Sequence, residues 1–394
     1  MSNLDVLADE GTRPAAKATP SWLREGAGHA IRKLSERQQV NPNYQRDLVE
    51  AGRLYERAVH GNRRAMLDFE EAMTTSDFSI LFADILDRQV LGSYQDWPSE
   101  WARYTRRGTV RDFRTVKRYT LDGGAAVLGE VPERGEYPEA DVVPGEYEYR
   151  VSKRGRRLDH TFEMRVNDDL DMFRELPITL GRASRMTEDK FVTELFAQST
   201  GPNSTFFSVG HGNIVTGNPV LSVDGLQDGM TQMGQQRDRD GNPIFIQSVN
   251  LVVPPALEVV ANNIINATEV LAASGGGDGT GNNQLRTANW LRNKVSVVVN
   301  PWLPIVDTTS GNTAWYLIAN TMAGRPAMEI GFLRGYEQPQ VFVKAPDSLR
   351  VGGGSVPVED GDFETDAIRH KVRHILGGTL MDYRMAAASN GSGS

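Results

Sequence analysis

The chain has no cysteine anywhere in its 394 residues. Disulfide staples, thiolate nucleophiles, iron–sulfur clusters and Cys-ligated zinc are excluded by that alone. It also lacks any run of about 18 apolar residues, the length a membrane-spanning helix needs, so no membrane partner is expected. The opening MSNLDVLADEGTRPAAKATP carries no apolar core of the kind a secretory signal has, and no signal peptide is expected. Lysine is scarce, at eight positions against 35 arginines. Surplus positive charge is missing too. The formal net charge is −8, which argues against a protein built to coat phosphate.

Catalytic signatures are equally absent: there is no HExxH, no GxSxG and no P-loop motif. The glycine-rich stretch 275–281 reads as a surface loop following a helix end. It lacks the preceding strand and following helix that phosphate binding needs. His370 and His374 are four residues apart, but Ile368, Val372 and Leu376 alternate with Arg369, Lys371 and Arg373. That period predicts a strand with two partly buried imidazoles rather than a metal pair. His211, between Gly210 and Gly212, has no serine or carboxylate pattern beside it. Asp168, Asp169 and Asp171 precede a helix and suit its N-terminal dipole. No catalytic, metal-binding or cofactor-binding residue is expected, and no cofactor.

What is present suffices for a folded core: 39% hydrophobic and 24% charged residues. The length predicts two or three folding units, and 39 glycines with 19 prolines predict many turns. Residues 1–20 read as a polar arm. Residues 21–91 read as amphipathic helix, with Leu48, Ala51, Leu54, Tyr55, Ala58 and Val59 on one face. The period then becomes alternating. A strand is predicted over 109–121, a turn at Asp122-Gly123-Gly124, and a return strand over 158–166.

Between these strands lies an acidic stretch with Glu130, Glu133, Glu136, Glu139, Asp141, Glu146 and Glu148, relieved only by Arg134. Its flanks are basic, with Arg111, Arg114, Lys117 and Arg118 on one side and Arg150, Lys153, Arg154, Arg156 and Arg157 on the other. An isolated two-stranded hairpin is marginal in water, so something outside it must hold it. Acid between basic flanks suits a head-to-tail contact between identical copies, which closes rings or grows lattices. A solvated hairpin on a monomer is the alternative. The candidate inter-subunit contacts are Glu130, Glu133, Glu136, Glu139, Arg111, Arg114, Arg154, Arg156 and Arg157.

Farther on, Pro177 suits a first helical turn, and Leu180, Ala183, Thr187, Phe191 and Leu195 recur at helical steps. A helix of about 20 residues, about 30 Å long, is predicted. A short helix follows, capped by Ser222 or Asp224. From residue 245 the reading is α/β. A strand at 249–253 is stopped by Pro254-Pro255, and a helix carries Leu257, Val260, Ala261, Ile264 and Ile265. Further strands are predicted at 295–299 and 315–318. A terminal strand over 368–381 is expected to turn at Gly377-Gly378, and residues 389–394 to form a disordered tail. The fold class is α+β.

Five segments in this order resemble the major capsid proteins of tailed bacteriophages, especially the Mu-like major head subunit. They are NLVVPPALE (250–258), VNPWL (299–303), AWYLIA (314–319), IGFLRGYE (330–337), and FETD (363–366) running through to DYR (382–384). The resemblance covers about residues 75–385. It implies an N-terminal arm (1–75), a helical segment (76–104), an extended β-hairpin E-loop (105–165) and a P-domain with a spine helix (166–222). A mostly A-domain region (223–362) and a returning terminal strand with its tail (363–394) complete the capsid fold. It also implies hexamers and pentamers of the chain closing an icosahedral shell around double-stranded DNA, held without sequence specificity. The partners implied are a portal and a decoration or cement protein, in a virion assembled in the host cytoplasm. Some relatives crosslink an E-loop lysine to a neighbour's asparagine. Here no lysine lies between Arg118 and Arg150, only Lys117 and Lys153 near the base could serve, and an uncrosslinked shell is expected. A scaffold separate from this chain is expected as well. The rivals are an encapsulin-type compartment holding enzyme cargo and a soluble α/β enzyme.

Overall fold

The computed structural model describes residues 50–54, 57, 64, 90–122, 130–131, 133–134, 143–160, 170–246, 248–273, 284–321, 325–344 and 362–393. Its strands are β1 (Arg106–Val110), β2 (Val116–Asp122), β3 (Val143–Tyr149), β4 (Ser152–His160), β5 (Ala197–Gln198), β6 (Gly201–Pro202), β7 (Val249–Val253) and β8 (Glu269–Ala273). There follow β9 (Gln284–Ala288), β10 (Val295–Val299), β11 (Trp315–Ala319), β12 (Met328–Leu333), β13 (Gln340–Val343), β14 (Ile368–Leu380) and β15 (Ala386–Ser389). The helices are α1 (Leu170–Phe196), α2 (Val223–Gly234), α3 (Glu258–Asn266) and the single turn α4 (Leu303–Val306). The chain divides into two units, Met1–Pro98 with Lys153–Met186 and Tyr336–Ile375, and Ser99–Ser152 with Thr187–Gly335 and Leu376–Ser394.

The second unit is built on a sheet of order β10-β7-β11-β15, with β10 parallel to β7 and the other pairs antiparallel. Val249, Leu251, Val252 and Val253, with Val295, Val297, Val298 and Val299, are β-branched or aliphatic and pack on both faces. Pro254 ends β7 because it has no N–H for the ladder. Ser222 caps α2 as expected, accepting from the Gly225 N–H at 3.0 Å. Phe196 stands edge-on to Tyr316, ring centroids 4.9 Å apart, inside this core. A second sheet in the same unit sets β12 between β1, parallel, and residues 376–380 of β14, antiparallel. In the first unit β13 pairs with residues 370–373 of β14, over a small core of Val90, Leu180 and Val372 with Leu158 and Val341.

Several expectations hold: β7, β10, β11, α3, and the strand carrying His370 and His374, both buried. Others need correction. The strand predicted over 109–121 is two strands, β1 and β2, because Asp112 bends the chain by accepting the Arg114 N–H at 3.0 Å. The partner of β2 is β3, in the register Val116↔Tyr149, and not the segment 158–166. Residues 161–169 lie outside the described residues, and so do the expected polar arm 1–20 and most of the expected amphipathic helix 21–91. β8 pairs with β9, so a strand, not a helix end, precedes the glycine-rich stretch 275–281, itself outside the described residues.

The long helix begins at Leu170, which leaves Pro177 well inside it. Its buried stripe is also rotated from the expected one. Leu180, Ser184, Glu188, Asp189, Val192, Thr193 and Phe196 are buried, while Ala183, Thr187, Phe191 and Leu195 are only half-buried. Polar residues hold this face because they find partners. The Trp101 indole N–H donates to Glu188 Oε2 at 3.0 Å, and the Asn300 amide donates to Thr193 Oγ1 at 2.8 Å.

Gly377-Gly378 makes no turn; β14 runs straight through it for 13 residues. Nor is the end of the chain a loose tail. β15 is buried along its length, paired with β11 on one side and bonded to residues 213–215 on the other. Beyond it the Gly393 N–H donates to the Asn218 carbonyl at 2.9 Å.

Candidate assembly site: a hairpin ribbon and its anchor

β2 and β3 form a two-stranded ribbon with no third strand among the described residues. Alternation sorts its residues between two faces. Val116, Arg118, Thr120, Tyr147 and Tyr149 lie on a half-buried or buried face. Lys117, Tyr119, Glu146 and Glu148 lie on the exposed one, with Tyr119 61% exposed. Lys117 is clamped across the strands by Glu146 and by Glu148, the latter at 3.2 Å. Hydrogen bonds to Glu146 and then Glu148 hold its ammonium well above the ordinary lysine range.

The inner face of the ribbon is fastened to β12 by one carboxylate. Glu329, in the apolar run MEIGFL, is 0% exposed. Its Oε1 accepts from Arg118 Nε at 2.7 Å and from the Tyr149 hydroxyl at 2.6 Å, while Arg106 Nε lies 3.4 Å from its Oε2. Arg118 Nη2 donates further to the Thr109 carbonyl at 2.9 Å. The anchor thus takes one side chain from each strand of the ribbon. Burial, and next the bond to Glu329, push the Tyr149 phenol up to about 12, so it stays a donor at any physiological pH. Partial burial works against the charge of Arg118, but its bonds to Glu329 and Tyr149 outweigh that and raise it above its usual value. A buried carboxylate stripped of such partners costs about 3–5 kcal/mol.

Room for the anchor comes from glycines. Gly108 of β1 is in register with Gly331 of β12, and Gly331 with Gly377 of β14. Register partners face the same side of a sheet, so the three form a row without side chains across three strands. A Cβ on Gly108 would stand 2.3 Å from Glu329 Oε1, and one on Gly331 would stand 2.4 Å from the Tyr149 hydroxyl. On Gly377 it would stand 2.2 Å from the Arg150 carbonyl and 2.8 Å from Val151 Cα. The chain leaving β3 therefore crosses the sheet inside this row, and both its side chain and its backbone need the space.

Of the candidate contacts, Glu130 and Glu133 are exposed, while Glu136 and Glu139 lie outside the described residues. Arg111, Arg114 and Arg156 are exposed and have no side-chain partner among the described residues. Arg157 is already paired with Asp159 at 2.9 Å, and Arg154 is half-buried and not free. Sequence reasoning missed the anchor altogether. Its one visible signal was an acid, Glu329, as the second residue of an otherwise apolar strand. His211 stacks on Tyr383 with ring centroids 4.1 Å apart, its Nδ1 2.9 Å from the Phe206 carbonyl. Among the described residues no cluster of three or more His, Asp or Glu could hold a metal, and no helix is long and apolar enough to cross a membrane.

No curated protein matches this chain. Among solved structures it is similar to a chain of Gordonia phage Cozz, with TM-score 0.41 and 13% identity over 75% of this chain and 88% of that one. It is similar to the capsid structure of cyanophage P-SCSP1u, with TM-score 0.43 and 10% identity over 72% and 85%. A third similarity is to the holo-SrpI encapsulin complex of Synechococcus elongatus, with TM-score 0.40 and 11% identity over 75% and 89%. The family assignment rests on sequence: the family described as "Phage capsid protein" matches residues 146–389, more than half of the chain. That span takes in residues 146–149 of the ribbon's second strand, the buried glutamate that anchors it and the strand that closes the central sheet, and the chain belongs to the phage capsid protein family, with the structural role of a major capsid protein in the virion.

Proposed function

We propose that this chain closes an icosahedral shell from its own hexamers and pentamers around double-stranded DNA, with the β2–β3 ribbon serving as an E-loop laid over a neighbouring copy. One observation carries the reading: a ribbon fastened at its base by a buried carboxylate has no further strand beside it among the described residues. Its outer face offers Glu146, Glu148 and an exposed Tyr119 to another molecule. In this reading the arm (1–75), the leading helical segment (76–104) and the E-loop (105–165, with the ribbon 116–149 as its core) precede the P-domain (166–222). The A-domain (mostly 223–362) and the returning terminal strand (363–394) follow. The chain carries out no chemistry. A separate scaffolding protein, a portal and a decoration or cement protein complete the assembly in the host cytoplasm, and the DNA is enclosed without sequence readout. Expression with its scaffold and imaging of the soluble fraction tests this directly. Closed shells or rings of five and six support it, and a monomer under every condition overturns it. Shells filled with enzyme instead of DNA would point to an encapsulin-type compartment.

The copy-to-copy contact joins Glu130, Glu133, Glu136 and Glu139 of one subunit to basic residues of the next. Arg111, Arg114 and Arg156 are the open positions, whereas Arg154 and Arg157 already have partners within the subunit. Each exposed pair is worth only about 0–1 kcal/mol, so the effect arises by repetition around the shell. Reversing Glu133, Glu136 and Glu139 to lysine is expected to abolish assembly and leave the monomer folded, as read by sedimentation and thermal melting. Assembly of that variant at normal yield would sink the contact.

The shell is also expected to stay uncrosslinked. Lys117, the lysine nearest the ribbon's outer face, is held as an ammonium by two glutamates and has no lone pair to attack with. Denaturing gels of assembled particles should show monomer alone; a ladder of higher bands would contradict this.

A further inference from the structure

We infer that Glu329 sets the direction in which the ribbon leaves the subunit, and through that direction the size and uniformity of the shell. The inference rests on the assembly reading above. The ribbon has no other sheet neighbour among the described residues, so its aim depends on its base. There, Arg118 from β2 and Tyr149 from β3 grip the same carboxylate oxygen, at 2.7 and 2.6 Å. A single grip would allow a swing about one strand. Two grips, one on each strand, fix tilt and twist together. The guanidinium adds a third fixed direction through its bond to the Thr109 carbonyl on β1, the strand next to β12.

The lever arm shows why this matters. Seven residues of strand span about 23 Å. A 10° change at the base therefore displaces the far end by ~4 Å, more than the whole working range of a hydrogen bond. Contacts made at the end of the ribbon cannot absorb such an error, and the angle between neighbouring subunits changes with it. Why the anchor is ionic follows from the same logic. Well-packed apolar side chains of equal volume would hold the ribbon about as firmly, but charged hydrogen bonds also fix its orientation.

The test compares the full chain with two variants, each co-expressed with its scaffold. Arg118→Met keeps the length and packing of the side chain and removes its donors. Tyr149→Phe keeps the ring in the glycine row and removes only the hydroxyl. Unfolding of each subunit and the distribution of particle diameters in electron micrographs are measured separately. The expected result is a cooperatively folded subunit that loses the single-diameter population and gives mixed shells, tubes or open sheets. Variant shells of wild-type diameter and uniformity overturn the inference. If Arg118→Met does not fold, Tyr149→Phe decides alone, since the ring still fills its site. If the unaltered chain forms no shells, the assembly reading itself has failed. Wild-type shells beside unchanged variant shells refute only the role given to Glu329.

Discussion

Gly377→Val should destabilise the protein by about 3 kcal/mol, at the upper end of what overpacking costs and against what strand propensity says. Gly377 lies inside a 13-residue strand, where valine is ordinarily the better residue by up to ~1 kcal/mol. The crossing chain reverses the sign. The atoms nearest a new Cβ are the Arg150 carbonyl oxygen and Val151 Cα, both main chain, and neither can rotate away. Either the outgoing strand of the ribbon lifts off the sheet or β14 shifts its register. Lifting also loosens Tyr149 and strains its bond to Glu329. Thermal or denaturant unfolding of the variant against the parent measures the effect. Gly234→Ala is the control, because nothing lies within 4 Å of a Cβ at that helix end, and a gain of about 0.5–1 kcal/mol is expected there. A stable Gly377→Val chain would mean that residues 150–151 do not cross the sheet at this point.

A chain ending at Met385 should fail to fold its second unit. Removing β15 deletes four buried residues and exposes one edge of β11. The other side of the slot, residues 213–215, loses the Ala388 groups that bond to the Asn213 carbonyl and the Val215 N–H, both at 2.9 Å. Each lost hydrogen bond is worth about 0.5–1.5 kcal/mol, and each buried group left unpaired adds about 1–3 kcal/mol. A handful of these is comparable with the about 5–15 kcal/mol that holds a whole domain. The expected result is insoluble protein, or soluble protein whose second unit is digested rapidly by protease. Ending the chain at Ser389 should be milder. It removes the bond from Thr313 Oγ1 to the Asn390 carbonyl (2.8 Å) and that from the Gly393 N–H to Asn218, but leaves the sheet intact. Wild-type melting of the shorter chain would show that β15 contributes nothing.

These two experiments fall where the sequence was hardest to read. Strands such as Val249–Val253 and Trp315–Ala319 were legible because burial on both faces demands an unbroken apolar run, and nothing local competes with it. The buried stripe of α1 was not, because Ser184, Glu188, Asp189 and Thr193 look like surface residues until Trp101 and Asn300 are placed beside them. Gly377-Gly378 and the small, polar end of the chain carry the local marks of a turn and a tail. What overrides those marks is contact with residues more than 150 positions away, such as Arg150 and Asn218, which no short window can register. The candidate site divided in the same way. Charge runs marked the exposed arginines and glutamates, whereas the anchor draws on residues 106, 118, 149 and 329, brought together only by the fold.

The glycine row has one more effect. Gly108, Gly331 and Gly377 line up only while β1, β12 and β14 keep their observed pairing. A slip of one residue in β1 or β12, or of β14 toward Leu376, turns a side chain into the gap and closes it. A subunit with that fault cannot seat its ribbon, and so has nothing correctly aimed to offer a neighbour. In the assembly proposed above, copies with that fault would be left out of the lattice, so that the fold would proofread the monomers that enter the shell.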